Sequence, residues 1–399
     1  MGRATVAPAM YDTPERRPAS LTIRRLRAIA AVATALASIF VFSMAMHPSG
    51  TDFVEYWSSA KLLLNHANPY SPARVFALEK AQGFLPQSPL IMLNPPWALF
   101  LIAPLGLGSI QLGFYLWTVV AVGCVLVFIK LLKRPSANNL LALAFAPVLA
   151  CLCSGQISPF LLLGFCLFLF FHKSHPFLAG TALLLMALKP HLFLIFWAVL
   201  LAECVHKRKF TILAGLSTSL AAASIFPVWF DPHVWRNYFE TMHSASLKQA
   251  AFPTLSIVFR TIIDPGAFWL MFVPSIAAVL WGLWYYRANR ELWDWKTHGM
   301  LLMLVTVLAS PYGFFTDQIV LLPSIALALT SPQRRKYSGP LLLLINCIAI
   351  IPLVRPHASL TSMALVWTPA AWLAWFLYTT RGSVSEPKFK HSVGEALAD

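Results

Sequence analysis

The sequence predicts an all-α, polytopic membrane protein. Its 399 residues are 58% hydrophobic and only 11% charged, and the mean hydropathy is +0.68. Soluble globular domains carry about 25% charged residues, so the composition excludes that class. Apolar runs of about 14 to 23 residues recur between charged breaks, as expected of helices that cross a bilayer.

These runs predict about twelve membrane spans. The first follows a basic tail and is followed by no small-residue cleavage site, so we interpret it as an anchor and not as a cleavable signal. The predicted spans are residues 28–46, 110–132, 139–153, 158–171, 176–189, 191–205, 210–228, 268–287, 298–310, 318–330, 340–354 and 361–379.

The spans belong to one predicted membrane domain, residues 28–380, between a basic tail at 1–27 and a second tail at 381–399. Two loops, 47–109 and 229–266, are longer than ordinary connections. Loops of such length are usually functional. We therefore expect the chemistry of this protein to reside in these two loops and in the turns beside them.

The distribution of Lys and Arg predicts the orientation. If the N-terminus is cytoplasmic and the spans alternate, 22 of the 30 basic residues fall on the inner side. This bias is typical of inner loops, so we expect both termini in the cytoplasm, both long loops outside and a location in a cell membrane. The net charge of +15 follows from this asymmetry, so membrane lipids are expected partners and nucleic acid is not.

One apolar stretch, residues 94–107, is excluded from the spans because counting it would place every later basic cluster on the wrong side. Pro104 interrupts it, and Pro95-Pro96 suits the first turn of a helix. We interpret the stretch as a juxtamembrane helix that lies in the membrane interface.

Cysteine and metal chemistry are not indicated. All six cysteines lie within or at the ends of spans, so they predict packing residues and no disulfide framework. No dense cluster of His, Asp and Glu occurs in the outside loops. We therefore expect no metal and no other cofactor.

The first candidate site is Thr51-Asp52-Phe53-Val54-Glu55-Tyr56-Trp57, directly after the first span. Asp52 and Glu55 are three residues apart and share a face if the segment is helical. A carboxylate at the mouth of an apolar cavity can have a raised pKa and accept a proton from a substrate hydroxyl. The alternative is that both acids only complement a helix N-terminus.

Four further polar positions interrupt apolar stretches on the predicted outer side. Lys189 precedes the helix-breaking Pro190 and suits a phosphate headgroup, although a snorkelling lysine would look the same. Gln156 lies in a tight turn after Gly155, as it also would in a plain connector. Asp317 starts a span, where helix capping is the alternative to a substrate contact. Arg260 has the geometry to bind phosphate, or to anchor at the membrane surface.

The order of short motifs resembles glycosyltransferase family 87, which includes polyprenyl-phosphate-mannose-dependent mannosyltransferases. The resemblance covers about residues 28–380. The motifs that carry it are Asp52 with Tyr56-Trp57 and Ala60, Asn68-Pro69-Tyr70, Asn94-Pro95-Pro96 with Pro104-Leu105, Gly155-Gln156, Leu188-Lys189-Pro190, Ser310-Pro311-Tyr312 and Asp317.

The resemblance implies a C-type glycosyltransferase fold with juxtamembrane helices in the first outside loop. An aspartate of that loop serves as the base, and this role falls on Asp52. Basic residues hold the lipid phosphate of the donor, a role that falls on Lys189, His191 and Arg260. Some members place a histidine after the Ser-Pro motif, whereas this chain has no histidine there. Other donor or substrate contacts are expected from Glu55, Tyr56, Gln156, Tyr312 and Asp317.

The implied activity is an inverting hexosyl transfer of EC 2.4.1 type. Asp52 takes the proton of an acceptor hydroxyl, and a polyprenyl-phosphate sugar, expected to be mannose, loses its lipid phosphate. The acceptor is a glycolipid or another glycan. No Gly-rich phosphate loop occurs, consistent with a lipid-linked donor. Two alternatives stay open: a transporter or flippase of lipid-linked sugars, and a polysaccharide ligase or polymerase.

Overall fold

The computed structural model describes residues 51–131, 142, 144–244, 252–330, 336–353 and 363–380. The regular elements in these ranges are helices, and no strand occurs among them. The α-helices, numbered in chain order, are α1 (Phe53–Leu64), α2 (Pro72–Ala81), α3 (Leu99–Ile102), α4 (Ile110–Leu131), α5 (Ala146–Ser154), α6 (Ser158–Phe171), α7 (Pro176–Met186), α8 (Leu194–His206), α9 (Phe210–Phe230), α10 (Val234–Ser244), α11 (Leu255–Ile263), α12 (Val273–Asn289), α13 (His298–Leu308), α14 (Leu322–Thr330), α15 (Ser338–Ile350) and α16 (Thr368–Thr380).

Short 3₁₀ helices join or extend several of these elements. Five lie in or beside the predicted outside segments: Pro96–Ala98, Ala103–Leu107, Pro190–Phe193, Phe268–Phe272 and Phe315–Leu321. Most contain a proline near the start, which fixes φ and needs no hydrogen bond there. They place sharp changes of direction at the ends of apolar helices.

Helix bounds agree with the hydropathy pattern. Within the described residues, three helices are long and apolar enough to cross a membrane, namely Ile110–Leu131, Phe210–Phe230 and Phe268–Leu292, and each matches a predicted span. Shorter apolar helices cover others, and α6 has the predicted bounds 158–171. The all-helical class is confirmed. The count of about twelve spans stays a prediction, and the span at 28–46 lies outside the described residues.

Two glycines allow helices α7 and α9 to pack backbone against backbone. A Cβ atom on Gly180 would lie 1.9 Å from the carbonyl oxygen of Ile212, and one on Gly215 would lie 2.1 Å from that of Phe177. Small residues at helix contacts are the usual means of close packing between membrane helices. This contact fixes α7, whose C-terminal end leads directly into the Lys189 turn.

The predicted juxtamembrane segment is helical from Pro96 to Leu107 and covers helix α1. Gly106 lies so close to α1 that a Cβ there would be 2.7 Å from the carbonyl oxygen of Ala60. Lys61 donates a hydrogen bond of 3.1 Å from Nζ to the Gly106 carbonyl, and Trp57 donates one of 3.3 Å to Gly108. The segment therefore holds α1 in place, whereas its position in a membrane interface stays a prediction.

We expect Gly106→Ala to destabilise the protein by about 1–3 kcal/mol, because the added methyl group meets backbone that cannot rotate away. The measurement is the thermal unfolding midpoint in detergent. Gly123→Ala is the matched control, since nothing lies within 4 Å of a Cβ at that helical glycine. Equal midpoints for the two variants would contradict close packing of the segment on α1.

Candidate functional site

A cavity of about 150 Å³ opens where the first loop, the Gln156 turn, the Lys189 turn and the second loop meet. Since one water occupies about 30 Å³ in the liquid, the space exceeds a single solvent site. Four of its lining residues are Glu55, Gln156, Lys189 and Asp317. The others are Tyr56, Ile91, Leu93, Asn94, Pro95, Leu188, Pro190, His191, Tyr238, Phe252, Tyr312 and Phe314.

Asp52 immediately precedes helix α1, but its side chain makes no helix-capping hydrogen bond. Its backbone N–H donates to the carbonyl of Ser154 (3.0 Å), and its Oδ2 accepts from Nε2 of Gln156 (2.6 Å). Asp52 is only partly buried and does not itself line the cavity. It lies one hydrogen bond away, through Gln156.

The turn that carries Gln156 requires a glycine at position 155. Gly155 ends helix α5 in the left-handed region, with φ of +71°, and a Cβ there would lie 2.8 Å from the Cβ of Phe53. Trp117 donates from Nε1 to the Gly155 carbonyl at 2.8 Å. The turn is therefore packed directly against the start of α1, which brings Gln156 to Asp52.

Lys189 and Asp317 form a buried ion pair with a distance of 2.7 Å between Nζ and Oδ1. The exposed fractions of their side chains are 8% and 2%. Asp317 also accepts hydrogen bonds from the hydroxyl of Ser158 and from the backbone N–H of Phe314. Asp317 thus closes the first turn of its own helix, as the capping alternative predicts, and binds the Lys189 ammonium as well.

Aromatic side chains pack against the Lys189 turn, and an amide side chain donates a hydrogen bond to it. The Lys189 ammonium lies 5.1 Å from the ring centroid of Phe314, and His191 stacks on Tyr312 with a centroid distance of 3.7 Å. Asn94 donates from Nδ2 to the Leu188 carbonyl at 2.8 Å. These contacts attach the Lys189 turn to both the first loop and the 310–317 segment.

The two carboxyl groups of the first loop differ in their surroundings. Burial raises the pKa of Asp52, while the hydrogen bond from Gln156 and the charge of Lys189 act in the opposite direction. Burial, followed by the charge of Asp52, raises the pKa of Glu55 to about 8. Glu55 is therefore mostly protonated at neutral pH, whereas Gln156 and Lys189 are the groups that favour the Asp52 anion against its burial.

A third acid, Glu79 of helix α2, is fully buried. Its Oε2 accepts from the backbone N–H of Leu90 at 3.2 Å, whereas Oε1 has no hydrogen-bond partner among the described residues. Burial raises its pKa to about 7. Glu79 holds the segment that supplies Ile91 and Leu93 to the cavity wall.

We expect Glu79→Gln to stabilise the protein above about pH 7. Between pH 4.5 and 7 the folded state binds a proton on Glu79 that the unfolded state has lost, so the stability of the wild type falls as pH rises through this window. Glutamine keeps the acceptor for Leu90 and does not ionise. Unfolding midpoints at pH 5, 6, 7 and 8 should show a difference between variant and wild type that grows with pH. Parallel curves would show that ionisation of Glu79 does not affect the stability of the fold.

Most of the residues predicted from the sequence meet at this cavity. Glu55, Tyr56, Gln156, Lys189, His191, Tyr312 and Asp317 line it, and Asp52 adjoins it. Arg260 does not line it. The Arg260 guanidinium donates from Nε and Nη2 to the carbonyl of Pro265 in its own loop and lies 5.7 Å from the ring of Phe268, so its role in donor binding stays a prediction.

The sequence analysis did not predict several contributors: Ser158, Tyr238, Phe252, Phe314 and Glu79. Ser158 is the first residue of the predicted span 158–171, and the hydrogen bond that its hydroxyl donates to Asp317 follows only from the helix packing. Tyr238 and Phe252 belong to the second long loop, from which the sequence analysis singled out only Arg260. Among the described residues no three His, Cys, Asp or Glu side chains gather as metal ligands would, and the expectation of no metal stays a prediction.

Comparison with known proteins identifies one family. The model of glycosyltransferase family 87 matches residues 92–311, which is more than half of the chain. The matched region includes Gln156, Lys189 and His191 of the cavity and ends just before Tyr312. Neither a curated protein nor a solved structure matches the chain.

Proposed function

Because the chain belongs to glycosyltransferase family 87 and is a membrane glycosyltransferase, we propose that it transfers a hexose, expected to be mannose, from a polyprenyl-phosphate donor. The acceptor is a hydroxyl of a glycolipid or another glycan at the outer face of a bacterial inner membrane. One observation carries the proposal: a lysine suited to phosphate and a carboxylate suited to proton transfer adjoin one cavity, joined by a single amide.

Lys189 has the properties of a phosphate ligand. Its ammonium has three N–H donors, of which Asp317 accepts one at 2.7 Å and Gln156 one at 3.3 Å. The third has no hydrogen-bond acceptor among the described residues, and Lys189 lines the cavity. A phosphate oxygen in the cavity would supply that acceptor, and the positive charge would stabilise the negative charge that develops on the leaving phosphate.

Asp52 is the proposed base. It takes the proton of the acceptor hydroxyl as the oxygen forms a bond to the anomeric carbon, while the bond from that carbon to the phosphate oxygen breaks. The bonding electrons leave with the lipid phosphate next to Lys189. A single displacement of this kind inverts the configuration at the anomeric carbon.

Glu55 serves a different role in this scheme. With a pKa of about 8 it carries its proton in most molecules at neutral pH, so in this scheme it donates a hydrogen bond to a sugar oxygen. It lines the cavity, as Tyr56 does. The apolar lining residues Ile91, Leu93, Phe252 and Phe314 offer surface to the sugar faces and to the first isoprene unit of the donor.

The test is transfer from radiolabelled, synthetic prenyl-phosphate mannose, glucose or galactose to short alkyl hexosides in proteoliposomes. We expect a labelled product whose anomeric configuration is opposite to that of the donor. A retained configuration would exclude the single displacement. Absence of transfer, together with movement of the lipid-linked sugar across the bilayer, would favour a flippase.

A further inference from the structure

The Gln156 amide is bonded at both ends. Its Nε2 donates to Oδ2 of Asp52 at 2.6 Å, and its Oε1 accepts from the Tyr56 hydroxyl at 3.1 Å and from the Lys189 ammonium at 3.3 Å. The residue is only 3% exposed. Both polar atoms of the side chain are thus engaged by protein groups, although the sequence analysis predicts a substrate contact.

The orientation of this amide follows from the chemistry of its neighbours. A lysine ammonium has donors and no acceptor, so the amide oxygen must face Lys189 and the amide nitrogen must face Asp52. The Tyr56 hydroxyl donates to the same oxygen. A flipped amide would direct N–H groups at the ammonium and oxygen at the carboxylate, which both neighbours disfavour.

The backbone around Gln156 adds rigidity. Its N–H donates to the Cys151 carbonyl at 3.3 Å, and the preceding Gly155 is held by Trp117. The Asp52 backbone is in turn bonded to Ser154. These backbone hydrogen bonds hold Asp52 and Gln156 next to each other.

We propose that Gln156 is a positioning residue that orients the Asp52 carboxylate and couples it to the Lys189 phosphate site. The inference rests on the proposed function, in which Asp52 is the base. The Gln156 donor binds one oxygen of Asp52 and leaves the other for the acceptor hydroxyl. A phosphate in the cavity would attract the Lys189 ammonium, which also donates to the Gln156 amide oxygen. Donor binding and the orientation of the base therefore both act through the Gln156 side chain.

Two variants separate the acceptor and the donor of the Gln156 amide. Gln156→Glu keeps an oxygen acceptor for Lys189 and Tyr56 but replaces the N–H donor that faces Asp52. Gln156→Leu removes both the acceptor and the donor and keeps a side chain of similar volume. We expect kcat to fall about 10²-fold in each, as for a misplaced catalytic group, while the KM for prenyl-phosphate hexose stays within about threefold in Gln156→Glu and rises in Gln156→Leu.

A pH profile supplies a readout that a purely structural role would not change. In Gln156→Leu the acid limb of kcat/KM is expected at higher pH, because the carboxylate of Asp52 loses a hydrogen bond that stabilises it. Gln87→Glu, at an exposed position of the first loop, which also contains Asp52, is the matched control and should keep the wild-type profile. Unfolding midpoints are measured first, and Gln156→Glu carries the test if Gln156→Leu does not fold.

The outcomes separate the two proposals. Wild-type kcat with an unmoved acid limb in a folded Gln156 variant would overturn the positioning role, and so would a raised KM with unchanged kcat in Gln156→Glu. These results leave the proposed function intact if Asp52→Asn, assayed beside them, is inactive. An active Asp52→Asn would instead overturn the proposed base.

Discussion

Transfer by Asp52→Asn is expected to fall about 10²- to 10⁴-fold, the usual contribution of a general base. Asparagine has nearly the same shape, and its Oδ1 can still accept the hydrogen bond that Gln156 donates to Asp52 in the wild type. The substitution therefore removes the basicity of the side chain and leaves its surroundings in place. The loss should appear in kcat more than in the KM for the donor, since Asp52 does not line the cavity.

The measurement is initial rates in proteoliposomes with prenyl-phosphate hexose. Asp264→Asn is the matched control: Asp264 is exposed, lies in the second long loop, and its side chain accepts a hydrogen bond from the Gly266 N–H in its own turn. It should keep the wild-type rate. An Asp52→Asn variant with more than about a tenth of wild-type kcat would show that another group accepts the proton, and Glu55 would then be the first to examine.

Hydropathy predicted the bounds of the long apolar helices. Apolar runs must be helical in a bilayer because each backbone polar group needs an internal partner, so predicted and observed bounds agree to within a few residues at 110–132, 158–171 and 210–228. The stretch at 94–107 was also predicted as a helix apart from the spans, from its prolines and from the charge count. Its close contact with α1 through Gly106 was not predictable, because no local pattern shows which helix a glycine meets.

The candidate site was predicted as separate residues and not as an arrangement. Polar groups that interrupt apolar runs are costly, which is why Asp52, Gln156, Lys189 and Asp317 drew attention. Their mutual contacts join residues 104 positions apart in one case and 128 in another, and only the packing of the helices determines such pairs. Arg260 shows the reverse: its residue type suits phosphate, but its Nε and Nη2 donate to a carbonyl five residues away.

A single substitution of Lys189 is expected to destabilise the fold as well as donor binding. Lys189→Met leaves the Asp317 carboxylate buried without its cation, and Asp317→Asn leaves the Lys189 ammonium without its anion. Removing one member of a buried pair costs about 3–5 kcal/mol. Unfolding of both variants in detergent with denaturant should show losses of this size.

An exposed ion pair with the same distance between nitrogen and oxygen provides the control. Lys173 and Asp294 also lie 2.7 Å apart, but the exposed fractions of their side chains are 65% and 27%. Exposed pairs contribute about 0–1 kcal/mol, so Lys173→Met should be nearly neutral. Equal losses for Lys173→Met and Lys189→Met would mean that burial of the Lys189–Asp317 pair does not determine its effect.

The double variant Lys189→Met/Asp317→Asn separates folding from donor binding. It leaves no unpaired charge, and asparagine still offers an acceptor to Ser158 or Phe314, so much of the stability lost in either single variant should return. Donor use should not return, because no ammonium remains at the cavity to bind phosphate. A folded double variant with a wild-type KM for prenyl-phosphate hexose would show that Lys189 only supports the fold, and the phosphate would then have to bind elsewhere.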